Sequence, residues 1–151
     1  MGPAARGLGR AVGTAAVVVG VDQATKALAV HAVARGDSEN VFFGLNIVNS
    51  RNSGVAFGAL QGGGLIVTIL IAGSLTLLLG YFALNIATPG LWLPVGMLVG
   101  GALGNVVDRI REGAVTDFID PVAWPAFNLA DASIVIGVLA LFYVIERPKR
   151  T

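Results

Sequence analysis

The chain has no cysteine and one histidine, His31, among its 151 residues. Without thiols there is no disulfide framework, no thiol nucleophile and no thiolate metal site. A zinc centre needs several ligands, and nothing acidic lies at helical spacing beside His31, so no metal is expected and His31 is read as a residue at the outer end of a helix. Charge is scarce too: Asp, Glu, Lys and Arg make up 13% of the chain, against about 25% in an average soluble domain. The net charge is +1, and no aromatics alternate with Lys or Arg. There is therefore no basic excess to meet a phosphate backbone, and nucleic acid is not an expected partner. No cofactor is called for.

What remains is apolar: 55% of residues are hydrophobic and the mean hydropathy is +0.79. This composition reads as an all-α integral membrane protein, a single membrane domain over residues 1–151. From Asn52 to Val107 there is not one Asp, Glu, Lys or Arg. A spanning helix needs roughly 20 apolar residues, so this run is long enough to cross twice. Thr88-Pro89-Gly90 interrupts it, because Pro and Gly together end a helix and turn the chain. The second helix is expected at 63–87 and the third at 91–109. Arg6 and Arg10 before the apolar run Ala11–Val21, with Ala32-Val33-Ala34 beyond, outline a secretory signal peptide. Asp22 and Lys26 interrupt that outline, and the rest of the chain is itself membrane-like, so residues 11–33 are read as a retained first transmembrane helix. The last apolar run, Ala132–Ile145, must begin near Phe127 to cross, giving a fourth helix at 127–146.

Residues 35–60 differ in character. Phe43, Leu45 and Ile47 alternate with Gly44, Asn46 and Val48, which suits a short strand with one apolar face in a small extracytoplasmic β-containing region. Gly96, Gly100 and Gly104 recur every four residues, a small-residue face that lets a neighbouring helix approach closely. Five basic residues flank the spans at the two termini, Arg6, Arg10, Arg147, Lys149 and Arg150. The positive-inside bias then favours four helices with both termini cytoplasmic and both polar regions on the outer face.

Five of the nine acidic residues, Asp108, Glu112, Asp117, Asp120 and Asp131, fall between 100 and 131. Charges near a bilayer are costly unless paired, hydrated or used. Helical spacing places Asn105, Asp108 and Arg109 on one side of the third helix, and Asn128 and Asp131 on one face of the fourth, with Asp117 in a connecting loop between them. If those helices pack, Asp117 and Asp131 meet near the membrane surface. Two carboxylates held close share one proton: the ionised partner draws a proton from water while the protonated one polarises a carbonyl. That is acyl hydrolysis without a metal or a covalent intermediate. Bland readings stand beside it. Asp131 fits an N-cap, Asp108–Arg109 fits a plain charge network, and Asp22 and Lys26, four apart, fit either a structural ion pair or a substrate contact.

Five motifs in order carry a resemblance. They are Asp22-Gln-Ala-Thr-Lys26, Asn52-Ser-Gly54-Val-Ala-Phe57-Gly, Gly100-Gly-Ala-Leu-Gly-Asn105-Val-Val-Asp108-Arg109, Val115-Thr-Asp117-Phe118 and Phe127-Asn128-Leu-Ala-Asp131. Together they resemble the bacterial lipoprotein signal peptidase (signal peptidase II) family, four-helix inner-membrane aspartyl peptidases that cleave a prolipoprotein before its diacylglyceryl-modified cysteine. The resemblance implies that Asp117 and Asp131 are the catalytic pair. It implies that Asn52, Gly54, Asn105, Arg109 and Asn128 line the site and hold the substrate backbone, and that Asp22, Lys26 and Asp108 support it. It also implies an active site at the extracytoplasmic face, with a lipid-modified prolipoprotein and membrane lipids as partners; a monomer is expected, although no residue pattern in the sequence encodes the oligomeric state. One departure is the short Asp117–Asp131 connection with Pro121 and Pro125, which puts the motion of a lid there in doubt. Arg109 beside Asp108 is expected to bias nearby carboxylates toward the ionised form.

Two rival classes compete. A small proton-coupled transporter or channel subunit would carry ionisable residues through the depth of several helices, whereas here the acids gather at one end. An assembly protein built on the glycine-rich third helix leaves the Asp117 and Asp131 pair unexplained.

Overall fold

The computed structural model describes residues 2–53 and 64–147, with the backbone alone for 64–68. Gly54 and the motif residues after it lie outside the described residues, as do Lys149 and Arg150. In chain order the elements are α1 (Pro3–Ala32), β1 (Ser38–Phe42), β2 (Leu45–Asn52), α2 (Gly64–Asn85), α3 (Trp92–Glu112), β3 (Val115–Pro121) and α4 (Leu129–Glu146).

The first helix begins two turns earlier than the apolar run. Pro3 sits at its start, where a missing N–H costs nothing and a fixed φ suits the first turn. Its 30 residues extend about 45 Å at 1.5 Å per residue, beyond the ~30 Å hydrocarbon thickness. The surplus carries Arg6 and Arg10 past the apolar zone, and the Arg10 guanidinium lies 5.6 Å from the centre of the Trp92 ring. Three helices, α1, α3 and α4, are long and apolar enough to cross a membrane, and the described apolar part of α2 is the shorter Ile69–Asn85. Leu77, Leu84, Leu139 and Phe142 all point outward and are mostly exposed. Such faces suit lipid, where the backbone is satisfied within each helix and apolar side chains meet hydrocarbon.

The central helix is α3, packed along α1 on one side and α4 on the other. The glycine face read from the sequence, Gly96, Gly100 and Gly104, lies against α1, and Gly101, outside that face, lies against α4. A Cβ added at Gly100 would stand 2.8 Å from the Ala15 carbonyl oxygen of α1, and one at Gly101 would stand 2.5 Å from the Ala130 carbonyl oxygen of α4. Side chains at either place would force the backbones apart. At one end of the bundle Ala11, Phe82, Leu91 and Val95 form a small buried core.

Outside the helices, the sheet has the order β1-β2-β3, all antiparallel. It departs from the sequence reading in three ways. The alternating stretch is a hairpin rather than one strand: Gly44, with φ of 76°, turns the chain between Phe42 and Leu45, a conformation that costs glycine little. Residues 115–121 form a third strand, so Asp117 stands on β3 and pairs with Ser50 rather than riding a loop. The fourth helix starts at Leu129, with Asn128 as its N-cap. Strand β3 and the reverse turn that bonds Phe127 to Ile119 take up most of the short connection.

Candidate active site

Five elements converge on a knot of amides and carboxylates beside the C-terminal end of α3. At its base α1 presents Asp22 and Lys26 inward, one turn apart. Lys26 Nζ lies 2.8 Å from Asp22 Oδ2 and 3.0 Å from Asp108 Oδ2 of α3. All three are buried, Asp22 at 0% exposure and Lys26 at 4%. A cation between two anions leaves one excess negative charge, and burial of that trio would be costly without further donors. These are present. Asp22 Oδ1 accepts from Ala130 N at 2.9 Å, and Asp108 accepts from Gln23 Nε2 at 2.8 Å and Thr116 N at 3.0 Å. The buried charges are thus each met by a partner, and Thr116 of β3 is tied to α3.

Above this base lie two asparagines. Lys26 Nζ donates to Asn105 Oδ1 at 3.0 Å, which leaves the Asn105 amide nitrogen facing the other way, where it donates to Asp131 Oδ1 at 2.8 Å. Asn128, fully buried, donates through Nδ2 to Asp117 Oδ1 at 2.8 Å, with longer contacts to Asn105 Oδ1 and Thr116 O. Its Oδ1 accepts from Asp131 N at 2.9 Å, while its own N–H donates to Asp131 Oδ2 at 3.3 Å. This is a reciprocal capping box: Asn128 is the cap and Asp131 the third helical residue. The N-cap role considered for Asp131 therefore belongs to Asn128, and Asp131 helps to hold that cap in place.

Asp117 is 3% exposed. Its second oxygen accepts from Asn52 Nδ2 of β2 at 3.0 Å. Burial raises its pKa from 3.8 to about 6; the Asn52 bond opposes the rise, the charge of Asp131 adds to it, and the Asn128 bond and Lys26 oppose it. Asp131 and Asn52 are half-buried, so the pair is reached from outside along their side. Among the described residues no group of three or more His, Asp or Glu side chains is placed to hold a metal ion.

Most residues expected at the site are brought together: Asp117, Asp131, Asn52, Asn105, Asn128, Lys26, Asp22 and Asp108. Gly54 lies outside the described residues. Arg109 lies one turn along α3 from Asn105 and is half-buried. Its Nη1 bonds Asn105 O within its own helix at 3.4 Å, and the cation beside Asp108 is Lys26. Adjacent residues on a helix do not face one another, so Asp108 meets Lys26 of α1 rather than its own neighbour. Glu112 pairs with Arg51 and Asp120 accepts from Asn46, so these two acids serve the sheet. His31 sits exposed near the end of α1 with Nδ1 bonded to Ala27 O. Gln23 and Thr116 were missed. The signal for Gln23 was a polar amide between Asp22 and Lys26 in a membrane helix; for Thr116 it was the residue before the buried acid.

The site thus sets a buried carboxyl with a raised pKa, held by shared amides, beside a second carboxylate with an accessible edge. The family described as Signal peptidase (SPase) II matches residues 14–146. The chain belongs to the signal peptidase II family. It is 42% identical over 137 residues to the lipoprotein signal peptidase of Pelotomaculum thermopropionicum, covering 86% of this chain and 87% of that one. Against the lipoprotein signal peptidase of Staphylococcus aureus it is 39% identical over 144 residues, covering 89% and 86%. A solved bacterial membrane enzyme, determined by the in meso method, superposes with a TM-score of 0.83 at 32% identity, covering 95% of this chain and 94% of that one. Signal peptidase II enzymes are aspartic peptidases of the bacterial inner membrane that remove signal peptides from prolipoproteins, and the chain is one of them. The transporter or channel reading finds no support: the described side chains of α2 include no Asp, Glu, Lys, Arg or His.

Proposed function

We propose that the chain works as a monomer and as one membrane domain, with all four helices crossing the inner membrane and both termini in the cytoplasm. The 22 residues of α2 span about 33 Å, enough to cross, and the basic residues at the two ends support the orientation. The active site then opens at the extracytoplasmic face. Its substrate is a diacylglyceryl-modified prolipoprotein, cut just before the lipidated cysteine. A lipid-anchored chain arrives sideways from the bilayer, and carboxylates at the surface end of the bundle meet it where water is also available.

The reaction assigned to the pair needs one proton between two carboxyl groups. Asp131 is placed to carry the negative charge, with amide donors on both oxygens and the positive end of α4 beneath it. Asp117, buried and raised in pKa, holds the proton. Asp131 takes a proton from water as the water oxygen attacks the scissile carbonyl, and Asp117 donates its proton to the carbonyl oxygen. The tetrahedral diol then collapses, the C–N bond breaks, protonated Asp131 gives its proton to the departing amine, and Asp117 recovers its own. Asn52, Asn105 and Asn128 hold the two carboxyl groups and, with Gly54 and Arg109, the substrate backbone. Asp22, Lys26 and Asp108 fix the asparagines.

The observation that carries this reading is Asn128, whose amide touches Asp117 with one end and the Asp131 backbone with the other. The test is cleavage of a diacylglyceryl-modified prolipoprotein by the purified protein in detergent, beside Asp117→Asn, Asp131→Asn and an unlipidated substrate. Cleavage is expected only with lipid present and both acids intact. Full activity in either asparagine variant would refute the pair.

A further inference from the structure

The sheet is chemically graded from one end to the other. Strand β1 opens with Ser38, Glu39 and Asn40, follows Asp37, and ends with Val41 and Phe42 before Phe43 in the turn. The start of the β3–α4 connection lies against that turn. Val122 N donates to Gly44 O at 2.9 Å, and the Val122 side chain stands 3.5 Å from where a Gly44 Cβ would be. The two segments therefore form one tip.

That tip is apolar and open. Phe43 is 94% exposed and Val122 79%, and Val41, Phe42 and Trp124 are each more than half exposed. Residues 41–45 and 121–126 contain no charged side chain. The rings of Phe42 and Phe43 meet edge to face at 5.1 Å, so they pack on one another rather than on the protein. A contiguous patch of this kind on a surface marks a binding face. It lies outside the helices, so hydrocarbon-spanning segments do not account for it.

The bilayer is the occupant that fits. The sheet is tied to α1 through Asn49 Nδ2 and the Val33 carbonyl, to α3 through Thr116 and Asp108, and to α4 through Asp117 and Asn128. From Asp117 to Val122 is five residues, about 17 Å of strand, so the tip stays within reach of the surface from which the helices emerge. Aromatic rings are enriched at membrane interfaces, and the polar opposite end of β1 gives the sheet a wet side. From this grading we infer that Val41, Phe42, Phe43, Val122 and Trp124 insert into the headgroup boundary of the leaflet beside the active site. The sheet that carries Asn52 and Asp117 is thereby moored to the lipid as well as to the helices, which sets the height of the site above the hydrocarbon. The inference needs only a membrane-embedded bundle and stands apart from the chemistry assigned to the carboxylates.

The chain has two tryptophans, Trp92 and Trp124, so Trp92→Phe leaves Trp124 as a single reporter. The variant is placed in vesicles containing phospholipids brominated either near the headgroup or near the chain end, and quenching by aqueous iodide is measured in parallel. Shallow bromines are expected to quench Trp124 at least twofold more than deep ones, and iodide to quench it several-fold less than a free tryptophan analogue. Adding Phe42→Ser and Phe43→Ser, both at exposed positions, should at least halve the lipid quenching and raise the iodide quenching. Strong iodide quenching with no bromine effect would place the tip in water and overturn the inference. Protection that appears only as the protein-to-lipid ratio rises, or only on addition of substrate, would assign the patch to a second copy or to the substrate and overturn it equally.

Discussion

Replacing Asn52 by Leu removes one of the two side-chain donors to Asp117 and moves a titration whose direction is fixed by the geometry. In the intact protein Asp117 titrates at about 6 rather than 3.8, chiefly because it is buried. A shift of about two units corresponds to roughly 3 kcal/mol against the ionised form. The Asn52 bond, 3.0 Å long, opposes that shift. A hydrogen bond to a charged group contributes about 1.5–3 kcal/mol, and partial replacement by water at a half-buried position argues for the low end, or about one pKa unit. Without this donor the proton is held more tightly. In the proposed reaction Asp117 must be protonated, so kcat/KM falls as pH rises through its free-enzyme titration. The descending limb is expected near pH 6 in the native protein and about one unit higher in Asn52→Leu, whatever the change in absolute rate. The assay is hydrolysis of a fluorogenic diacylglyceryl-modified peptide in detergent from pH 4.5 to 9.5, with the limb assigned to the pair rather than to one residue. A limb that stays put or moves down in a folded variant refutes the role given to Asn52, and a profile flat to about pH 9 in the native protein refutes the one-proton pair.

The same titration has a stability signature. A carboxyl whose folded-state pKa is raised contributes stability that is present below 3.8 and lost as pH rises through about 6. The native protein should therefore lose up to about 3 kcal/mol over that window, and Asp117→Asn should lose much less, a contrast readable in thermal melts at pH 4 and pH 7. Lys26→Met strands Asp22 and Asp108 in a buried site and is expected to cost about 3–5 kcal/mol; a loss under 1 kcal/mol in detergent unfolding would show that the trio is not a buried support. Gly104→Ala gains up to about 1 kcal/mol in helix propensity but sets a Cβ 2.6 Å from Asp22 Oδ2, an overpacking cost of about 1–3 kcal/mol. Destabilisation with reduced turnover is expected there, while Gly80→Ala on α2, with nothing within 4 Å, should be neutral or stabilising. Equal effects in the two variants would remove the argument for close contact.

Much of this site is legible in the amino-acid sequence. The Asp22 and Lys26 pair was visible because four-residue spacing on a helix brings side chains together whatever surrounds them. The collection of acids at one end of the bundle was visible because a long uncharged run leaves no other place for them. Strand β3 was not. Val115–Pro121 is short, holds two aspartates, and pairs with β2, more than sixty positions upstream, so its conformation depends on a partner that local propensity does not describe. Gln23 was passed over for the same reason, since the groups it bonds, Gly104 O and Asp108 Oδ1, lie on another helix.

Asp131 shows the limit most clearly. As the third residue after an N-cap asparagine it satisfies a purely structural rule, and a capping box needs no catalysis to justify it. What separates the two readings is the other side of the carboxylate. Asn105 of α3 donates to Asp131 Oδ1, and Asn105 is oriented by Lys26 of α1, while the cap residue itself reaches across to Asp117. A helix cap needs none of these additional partners. In the proposed reaction their convergence makes the capping box a rigid mount for the reacting carboxylate: the helix start fixes its position, and the amides of Asn105 and Asn128 fix its direction relative to Asp117. Loss of the Asn128 side chain should then disable cleavage far more than the ~1 kcal/mol of a lost cap would suggest, because both carboxyl groups lose their alignment in one step.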